Sequence, residues 1–469
     1  MAENAGITIA LTGNCYFQDR ISVHEDENFL KMVKLLREAD ASFTNLEFVI
    51  HEGENFPAYV AGNGRAASYL QAPPFVVEEL RWMGIDMVYT ANNHSANFAE
   101  GGVLSTTEHL KDGGLAYAGI GASLSEATAP GYLETPRGRV ALISATDWGP
   151  RGKADLPFQM PAQAFPADGD AFFQPRPGVN MVRYDIVNSI DREGMKALRK
   201  LSHELGWEEA KASRRAGGAR AESFLSQSVL DCEQDTDTQF HFMGRKFVLG
   251  DTFDFKTEPY AEDLERNYTW TREARRQADW VVVGFHDQGA RRPADEEHTK
   301  IFARGSIDAG ADVYVAHGAR HGGVEIYNGK AIIYGQPVFY FQNEAVRYAP
   351  PDLKVRYGLR PDSTTGEFLE TRAAGEGRAG GAVAGMRADA FRGSVIHSVE
   401  FGADGNVKEV RIYPLEMKMT GTRADRGRAM LADPASEGAK QLLERAAANS
   451  EPFGSRVEIE NGVGIVRPK

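Results

Sequence analysis

Cysteine is scarce in this chain of 469 residues, which carries only Cys15 and Cys232. Two cysteines cannot form the framework of several disulfides that holds small secreted domains together, and such low use is typical of a reducing compartment. The sequence also lacks an apolar run long enough to cross a bilayer, and its first residues lack the basic start and apolar stretch of a signal peptide. We therefore expect a cytoplasmic protein that has no membrane partner.

Basic charge is in deficit as well. The chain has 53 Lys and Arg residues against 66 Asp and Glu residues, which gives a formal net charge of -13 at pH 7. No basic stripe with interleaved aromatic residues occurs, so the sequence argues against a nucleic-acid partner. Hydrophobic residues at 42% and charged residues at 25% are the proportions of a globular protein. The length exceeds that of one ordinary core, which predicts a large catalytic domain with elaborations or with a second domain.

Short β-rich runs alternate with amphipathic segments in two parts of the chain. Residues 7–12 and 85–90 are predicted as strands, and residues 27–39 carry apolar side chains at helical spacing. The same pattern resumes at 279–286 and 310–317. Strands that alternate with helices over short connections predict a layered α/β protein, and we expect these strands to lie parallel in one sheet.

Polar side chains follow five of the predicted strands. In chain order they are Asn14; Asn45 with Glu47; Asn92, Asn93 and His94; His286 with Asp287; and His317 with Arg320 and His321. Because the carboxyl ends of parallel strands meet at the same edge of a sheet, we expect these side chains to converge. A single buried histidine is more often a structural residue, but five strand ends of this kind favour a common site.

The strand ends also carry longer motifs. They are Gly13-Asn14, Asn45-Leu46-Glu47, Ala91-Asn92-Asn93-His94, Val283-Gly284-Phe285-His286, and Gly310-Ala311-Asp312 followed by His317. Together these motifs resemble the CapA, or poly-γ-glutamate capsule-synthesis, family, which has the calcineurin-like metallophosphatase fold. The resemblance extends over nearly the whole chain. It implies an α/β fold in which a layered β-sheet sandwich is flanked by helices.

The same resemblance implies how the chain is divided. Residues 1–150 and 272–350 are expected to form the two halves of the metallophosphatase-like core. Residues 151–271 are expected to be a large mid-chain insertion or lid. Residues 351–469 are expected to be a small α+β C-terminal extension that packs on the core.

The metal-binding part of the family pattern is incomplete in this chain. In the wider metallophosphatase pattern the first strand ends in an Asp and a His that bind one metal ion, and Asn14 and Tyr16 stand at those positions. Asn45 stands where a bridging Asp is expected, with Glu47 close by. Amides and phenols are poor substitutes for carboxylates and imidazoles, and two dications need several anionic ligands. The resemblance therefore predicts a degenerate or absent metal centre.

The resemblance and the strand ends together assign the site residues. The predicted catalytic residues are His94, His286, His317, Glu47 and Asn93. The predicted substrate-binding residues are Asn14, Asn45, Asp287, Arg320 and His321. If the site keeps a single divalent Mn, Fe or Zn ion, the implied ligands are Glu47, Asn93, His286 and His317; otherwise no cofactor is expected.

Three functions remain open from the sequence. The favoured one is an enzyme that uses the His/Asn/Glu cluster to abstract a proton from a small organic or peptide-like substrate, as a lyase, a C–C-cleaving enzyme or an epimerase. The second is a metal-dependent hydrolase of a phosphoester or a γ-linked amide, which the family name suggests. The third is a non-catalytic polymer-handling protein. A homo-oligomer is compatible with all three.

Overall fold

The structure is a computed structural model that describes residues 6–57, 69–148, 176–217, 233–287, 297–318, 322–342, 346–373, 394–422 and 424–468. Its strands in chain order are β1 Thr8–Tyr16, β2 Ala41–Leu46, β3 Val49–Ile50, β4 Gln71–Ala72, β5 Met87–Tyr89, β6 Ala116–Ala118, β7 Ile120–Gly121, β8 Gly131–Thr135, β9 Gly138–Trp148, β10 Gly178–Val179, β11 Met181–Ile190, β12 Gln239–Phe242, β13 Arg245–Leu249, β14 Asp254–Pro259, β15 Trp280–His286, β16 Val313–His317, β17 Val324–Tyr327, β18 Lys330–Gln336, β19 Val338–Phe341, β20 Ser394–Phe401, β21 Val407–Lys418, β22 Arg428–Leu431, β23 Val457–Glu460 and β24 Val463–Val466. The helices are α1 Glu27–Glu38, α2 Val76–Met83, α3 Ala99–Asp112, α4 Leu124–Thr128, α5 Arg192–Glu204, α6 Trp207–Gly217, α7 Ala261–Gln277, α8 Glu297–Asp308, α9 Pro351–Arg356, α10 Thr365–Ala373 and α11 Glu437–Ser450.

Most of the strands belong to two ten-stranded sheets. The first sheet has the order β23-β24-β21-β20-β1-β2-β5-β6, with β19 also paired to β1 and β22 to β21. The second has the order β12-β13-β11-β9-β15-β16-β18-β17, with β14 paired to β11 and β8 to β9. The strands that carry the predicted site are parallel to one another within each sheet, since β1, β2 and β5 run parallel in one sheet and β9, β15 and β16 in the other.

The two sheets face each other across an apolar core. Leu11, Phe43 and Tyr89 of the first sheet belong to the same buried cluster as Val282 and Val315 of the second. Burying a side chain of this size contributes roughly 1.5–3 kcal/mol relative to leaving it exposed. The packed layer between the sheets therefore determines how the two sets of strand ends are placed opposite each other.

The central strands of the second sheet are buried on both faces. In β9, Leu142 points into the core between the sheets, whereas Ile143 packs in the cluster that includes residues of α7 and α8. Successive side chains of a strand point to opposite faces, so neighbouring residues enter different layers. This alternation explains why β15 is apolar throughout and fully buried until it ends at His286.

Helices cover the outer faces of the sandwich. Helix α1 buries Phe29, Met32, Val33 and Leu36, whose spacing forms one apolar stripe, in the cluster on the outer side of the first sheet. Helices α7 and α8 cover the second sheet. Among the described residues, no helix combines the length and the apolar character that a membrane crossing requires.

The predicted fold class, a layered sandwich flanked by helices, is confirmed, but the expectation that all polar strand ends lie in one sheet was wrong. The strands β1, β2 and β5 belong to the first sheet, and β15 and β16 belong to the second. Buried strands have the same apolar pattern in one wide sheet and in two stacked sheets, so periodicity alone does not separate the two arrangements.

Segments outside the predicted core halves contribute strands to both sheets. The strands β11, β13 and β14 extend the second sheet, and in the first sheet β20 pairs with β1 and β21 with β20. Residues 149–175 and 218–232 are outside the described part of the chain. The lid over 151–271 and the domain boundaries therefore stay predictions.

Candidate active site

The first polar group of the site is a pair of asparagines on neighbouring strands. Asn14 of β1 and Asn45 of β2 are register partners in the parallel ladder. Asn45 Nδ2 donates a hydrogen bond to Asn14 Oδ1 over 2.8 Å, and both side chains are buried. The two positions where the family pattern expects metal-binding carboxylates are thus joined to each other by a neutral hydrogen bond.

Asn92, in the loop after β5, fixes which way these amides point. Its Oδ1 accepts the backbone N–H of His94 over 2.9 Å, and its Nδ2 donates to the Leu46 carbonyl over 2.8 Å. Because these two contacts are to the backbone, they identify the oxygen and the nitrogen of this amide. Asn92 Nδ2 also faces Asn45 at 3.1 Å, so the Asn45 atom at that contact is its oxygen. From the sequence, Asn93 rather than Asn92 is the predicted catalytic residue.

The same chain of amides reaches the second sheet through His286. With its oxygen facing Asn92, Asn45 presents its Nδ2 to His286 Nδ1 over 3.1 Å as well as to Asn14. His286 Nδ1 is therefore the acceptor, and the proton of the neutral ring is on Nε2. Backbone contacts in the first sheet thus determine the tautomer of a histidine in the second.

His317 lies beside His286 at the end of the next strand. The two residues are register partners in the parallel pair β15 and β16, and both point into the layer between the sheets. The ring of Tyr89, from the first sheet, packs against His317 with a centroid distance of 4.3 Å. His317 is therefore held between the sheets by an aromatic contact.

Glu47 follows β2 and lies against His286. Its Oε1 is 3.8 Å from His286 Nε2, which is longer than a hydrogen bond. Burial raises the pKa of Glu47 to about 8, against a hydrogen bond from Asn14 that lowers it. The carboxyl group is therefore mostly protonated at pH 7, and its ionisation falls close to neutral pH.

The pKa values of the two buried histidines move the opposite way. Burial, together with the charges of His317 and His94, holds the pKa of His286 well below its usual value. Burial lowers the pKa of His317 to about 3, although a contact with the Phe285 backbone raises it by a smaller amount. Both rings are therefore neutral at pH 7.

We use the name inner site for the residues gathered here: Asn14, Asn45, Glu47, Asn92, His94, His286 and His317.

Several polar atoms near the inner site are left for a ligand. Within the described residues, the buried Oδ1 of Asn93 has no hydrogen-bond partner, and the ring nitrogens of His317 have none beyond a contact with the Phe285 backbone. Asn93 itself is partly exposed. Buried polar atoms normally find a partner, so these atoms are suited to contact a bound molecule.

The remaining predicted residues lie elsewhere. Asp287 directly follows His286 and therefore points to the opposite, helix-covered face of the second sheet. It lies with Asp147 and His298, and the ligand atoms of these three side chains are all within 4.8 Å of one another. We call these three residues the outer cluster. Arg320 and His321 are outside the described part of the chain.

The pKa of Glu47 has a measurable consequence for stability. The folded protein keeps this proton up to about pH 8, whereas an unfolded chain releases it near 4.5, so the free energy of unfolding falls as the pH rises between these values. We expect Glu47 to account for a loss of about 1 kcal/mol between pH 7 and pH 8. Urea unfolding of wild type and Glu47→Gln at both pH values measures the loss. An equal pH dependence in the two proteins would contradict the buried, protonated carboxyl group.

Gly284 makes room for the ring that holds His317. A Cβ atom at this position would be 2.0 Å from Cδ1 of Tyr89, a distance that real contacts do not reach. We expect Gly284→Ala to lower the free energy of unfolding by about 1–3 kcal/mol because the Tyr89 ring must shift. Gly438→Ala is the control, since a Cβ there meets no atom within 4 Å. Urea unfolding curves that coincide for wild type and Gly284→Ala would refute this packing.

Comparison with known proteins agrees with this architecture. The profile of the family described as "Bacterial capsule synthesis protein PGA_cap" matches residues 8–343. Two proteins of Sinorhizobium fredii (strain NBRC 101917 / NGR234), named "Uncharacterized protein y4sH" and "Uncharacterized protein y4uA", are each 30% identical over 472 residues, which is 98% of this chain and 93% of theirs. The chain belongs to the bacterial capsule synthesis (CapA) family, as its motifs predicted.

The metallophosphatase-like fold implies a metal centre between the sheets, and the inner site does not fit a pair of metal ions. Asn14 and Asn45 use their amides on each other and on His286, and their oxygens carry no charge. Glu47, His286 and His317 do not bring three ligand atoms within 4.8 Å of one another. Within the described residues, the outer cluster is the group that has this spacing and could hold a metal ion.

Proposed function

We propose that this chain is an enzyme that moves protons to and from a carbon atom of a small organic or peptide-like substrate, as a lyase, a C–C-cleaving enzyme or an epimerase. The observation that carries the proposal is the hydrogen bond from Asn45 to His286, which joins the two sheets and sets the tautomer of the ring. Asparagines stand where a metal pair would need carboxylates. The groups of the inner site are thus suited to exchange protons rather than to bind paired dications.

Glu47 is the proposed general base. A group transfers protons best when its pKa is near the working pH, because both forms are then populated. The pKa of Glu47, raised to about 8 by burial, meets that condition. A desolvated carboxylate is also a stronger base than the same group in water.

His286 is the proposed hydrogen-bond donor to the charge that develops on the substrate. Its Nε2–H is 3.8 Å from Glu47, too far for a hydrogen bond between them. A substrate oxygen placed beside both groups would accept the Nε2–H while its neighbouring carbon faces the carboxylate. A fixed donor in a buried site stabilises a developing oxyanion more than a donor in water does.

The proposed step follows from these two roles. The Glu47 carboxylate takes a proton from a carbon next to a carbonyl group, and the electron pair of the C–H bond moves onto the carbonyl oxygen. His286 donates its hydrogen bond to that oxygen. Return of a proton to the carbon, from Glu47 or from a second group such as His94, gives an exchanged or inverted product. Departure of a group from the next carbon gives a lyase reaction instead.

Solvent isotope incorporation tests the proposal. The protein is incubated in D₂O containing EDTA with γ-glutamyl dipeptides, amino acids and 2-hydroxy acids. The deuterium content of the recovered compounds is then measured by mass spectrometry. We expect one of these classes to gain deuterium at carbon with wild type and not with Glu47→Gln. Hydrolysis of a phosphoester or a γ-glutamyl amide that EDTA abolishes, without deuterium at carbon, would overturn the proposal in favour of a metal-dependent hydrolase.

A further inference from the structure

A second group of ionisable side chains lies on the opposite face of the same strand ends. Thr146 of β9 and His286 of β15 are register partners, and the residue after each of them is an aspartate. Asp147 and Asp287 therefore point away from the inner site, toward the layer covered by α8. His298, from the first turn of α8, completes the outer cluster. Asp147 and His298 are both buried.

The imidazole of the outer cluster is held in a fixed orientation. His298 Nδ1 is 3.1 Å from Thr257 Oγ1, and the ring stacks on Tyr184 with a centroid distance of 4.0 Å. Nε2 is then the nitrogen that faces Asp287, at 3.9 Å from its Oδ1, and it also contacts Thr299 Oγ1 at 3.4 Å, a contact that a bound ion would replace. The separation of Nε2 from Asp287 is too long for a hydrogen bond and suits two ligands of one ion. Thr299 Oγ1 donates to the other oxygen of Asp287, which orients the carboxylate as partners of metal ligands do.

Tyr314 supplies an independent observation. Its side chain is fully buried, and its hydroxyl has no hydrogen-bond partner among the described residues. Burial, and then the charges of Asp287 and other groups including Asp147, raise the pKa of this hydroxyl well above its usual value. A buried polar group that makes no hydrogen bond thus lies in the layer of the outer cluster, where its ring packs on Phe302 of α8 at a centroid distance of 5.7 Å.

We infer that Asp147, Asp287 and His298 bind one divalent transition-metal ion. Two carboxylates offset the charge of a dication, and a mixed set of oxygen and imidazole nitrogen ligands suits Mn²⁺, Fe²⁺ or Zn²⁺ better than Ca²⁺ or Mg²⁺. Tyr184 and Thr257, which hold His298, also line an open groove of about 360 Å³ with Arg245 and Phe255.

This site goes beyond the proposed proton transfer and lies on the other side of the sheet from it. The ion would tie the ends of β9 and β15 to α8. Because Asp287 is the neighbour of His286 in the chain, an ion bound there would also limit movement of the backbone that carries His286. Its role is thus to hold these elements together rather than to contact substrate, and proton exchange at the inner site does not require it.

Metal binding can be measured without any substrate. Protein stripped with EDTA is titrated with MnCl₂ and followed by calorimetry and by electron paramagnetic resonance. We expect one Mn²⁺ per chain, and at least a 100-fold weaker affinity in Asp147→Asn and in His298→Gln. Glu297→Gln is the matched control, because it removes an exposed charge next to His298, and Glu47→Gln tests the inner site. Both are expected to bind Mn²⁺ as wild type does.

Pulsed electron paramagnetic resonance on the wild-type protein makes the test independent of whether the variants fold. We expect the bound Mn²⁺ to show coupling to a single imidazole nitrogen, that of His298. Coupling to two imidazoles, or loss of the ion in Glu47→Gln, would place the metal at the inner site and overturn the inference. Absence of Mn²⁺ binding by wild type, or unchanged affinity in folded Asp147→Asn and His298→Gln, would overturn it as well. Deuterium incorporation is a separate readout, so either proposal can fail alone.

Discussion

Replacing Glu47 by Gln lowers the rate of deuterium incorporation by about 10²–10⁴-fold, the range that general acid–base groups contribute. The amide keeps the size of the carboxyl group and can still contact Asn14, but it has no ionised form. In wild type the rate should rise as the pH passes through about 8, because the carboxylate of Glu47 is the base. In Glu47→Gln the residual rate should lack that rise. Rates are measured by mass spectrometry from pH 6 to pH 9.

Glu52→Gln is the control for this experiment, since it makes the same change five residues further along in an exposed side chain. It should leave both the rate and the pH profile unchanged. A Glu47→Gln protein that folds and keeps the wild-type rate would remove Glu47 from the mechanism. A wild-type rate that falls as the pH passes through about 8 would instead identify Glu47 as a proton donor.

Asn45→Asp should be the most destabilising single-atom change in the site. Asn45 is fully buried, and its Nδ2 serves both Asn14 and His286. In the variant, a carboxylate oxygen replaces Nδ2 and faces Asn14 Oδ1 and His286 Nδ1, which are both acceptors. The carboxylate also introduces a buried negative charge that no cation offsets. Breaking the pairing of a buried polar network in this way costs about 3–5 kcal/mol. The loss should be smaller at pH 5 than at pH 8, because protonating the new carboxyl group restores one donor.

Asn188→Asp serves as the matched variant. Asn188 is in a strand of the second sheet but is partly exposed, and its amide makes one hydrogen bond, to the Lys246 carbonyl. We expect Asn188→Asp to lower the free energy of unfolding by about 1 kcal/mol. Urea unfolding at pH 5 and pH 8 compares the two. Equal, small losses in both variants would mean that the Asn45 amide does not connect the sheets.

The strand ends of the inner site could be predicted from the sequence, because Asn14, Asn45 and His286 each lie at or near the end of a buried β-strand. The sequence could not decide correctly between Asn92 and Asn93, because two adjacent amides differ only in how the turn orients them. Asn92 is identified by its two backbone contacts, which depend on loop geometry. The convergence of the strand ends was expected, but through one sheet instead of two.

Only part of the outer cluster could be predicted from the sequence. Asp147 and Asp287 each follow a residue of the inner site by one position, and strand alternation places such neighbours together on the opposite face. His298 is on a helix, and nothing in its local sequence indicates where α8 docks. The pairing of β20 with β1 was hidden for the same reason, because contacts between distant segments leave no local periodicity.

The measurement that tests the central claim most directly is ¹⁵N NMR of protein labelled at its histidines, in EDTA at pH 7, with His286 assigned from a His286→Asn variant. The network of asparagines requires a neutral His286 ring with its proton on Nε2, unchanged when Zn²⁺ is added. We expect that state, together with a shift of His298 on adding Zn²⁺. A His286 ring that carries its proton on Nδ1, or whose Nε2 binds the added Zn²⁺, would contradict the account.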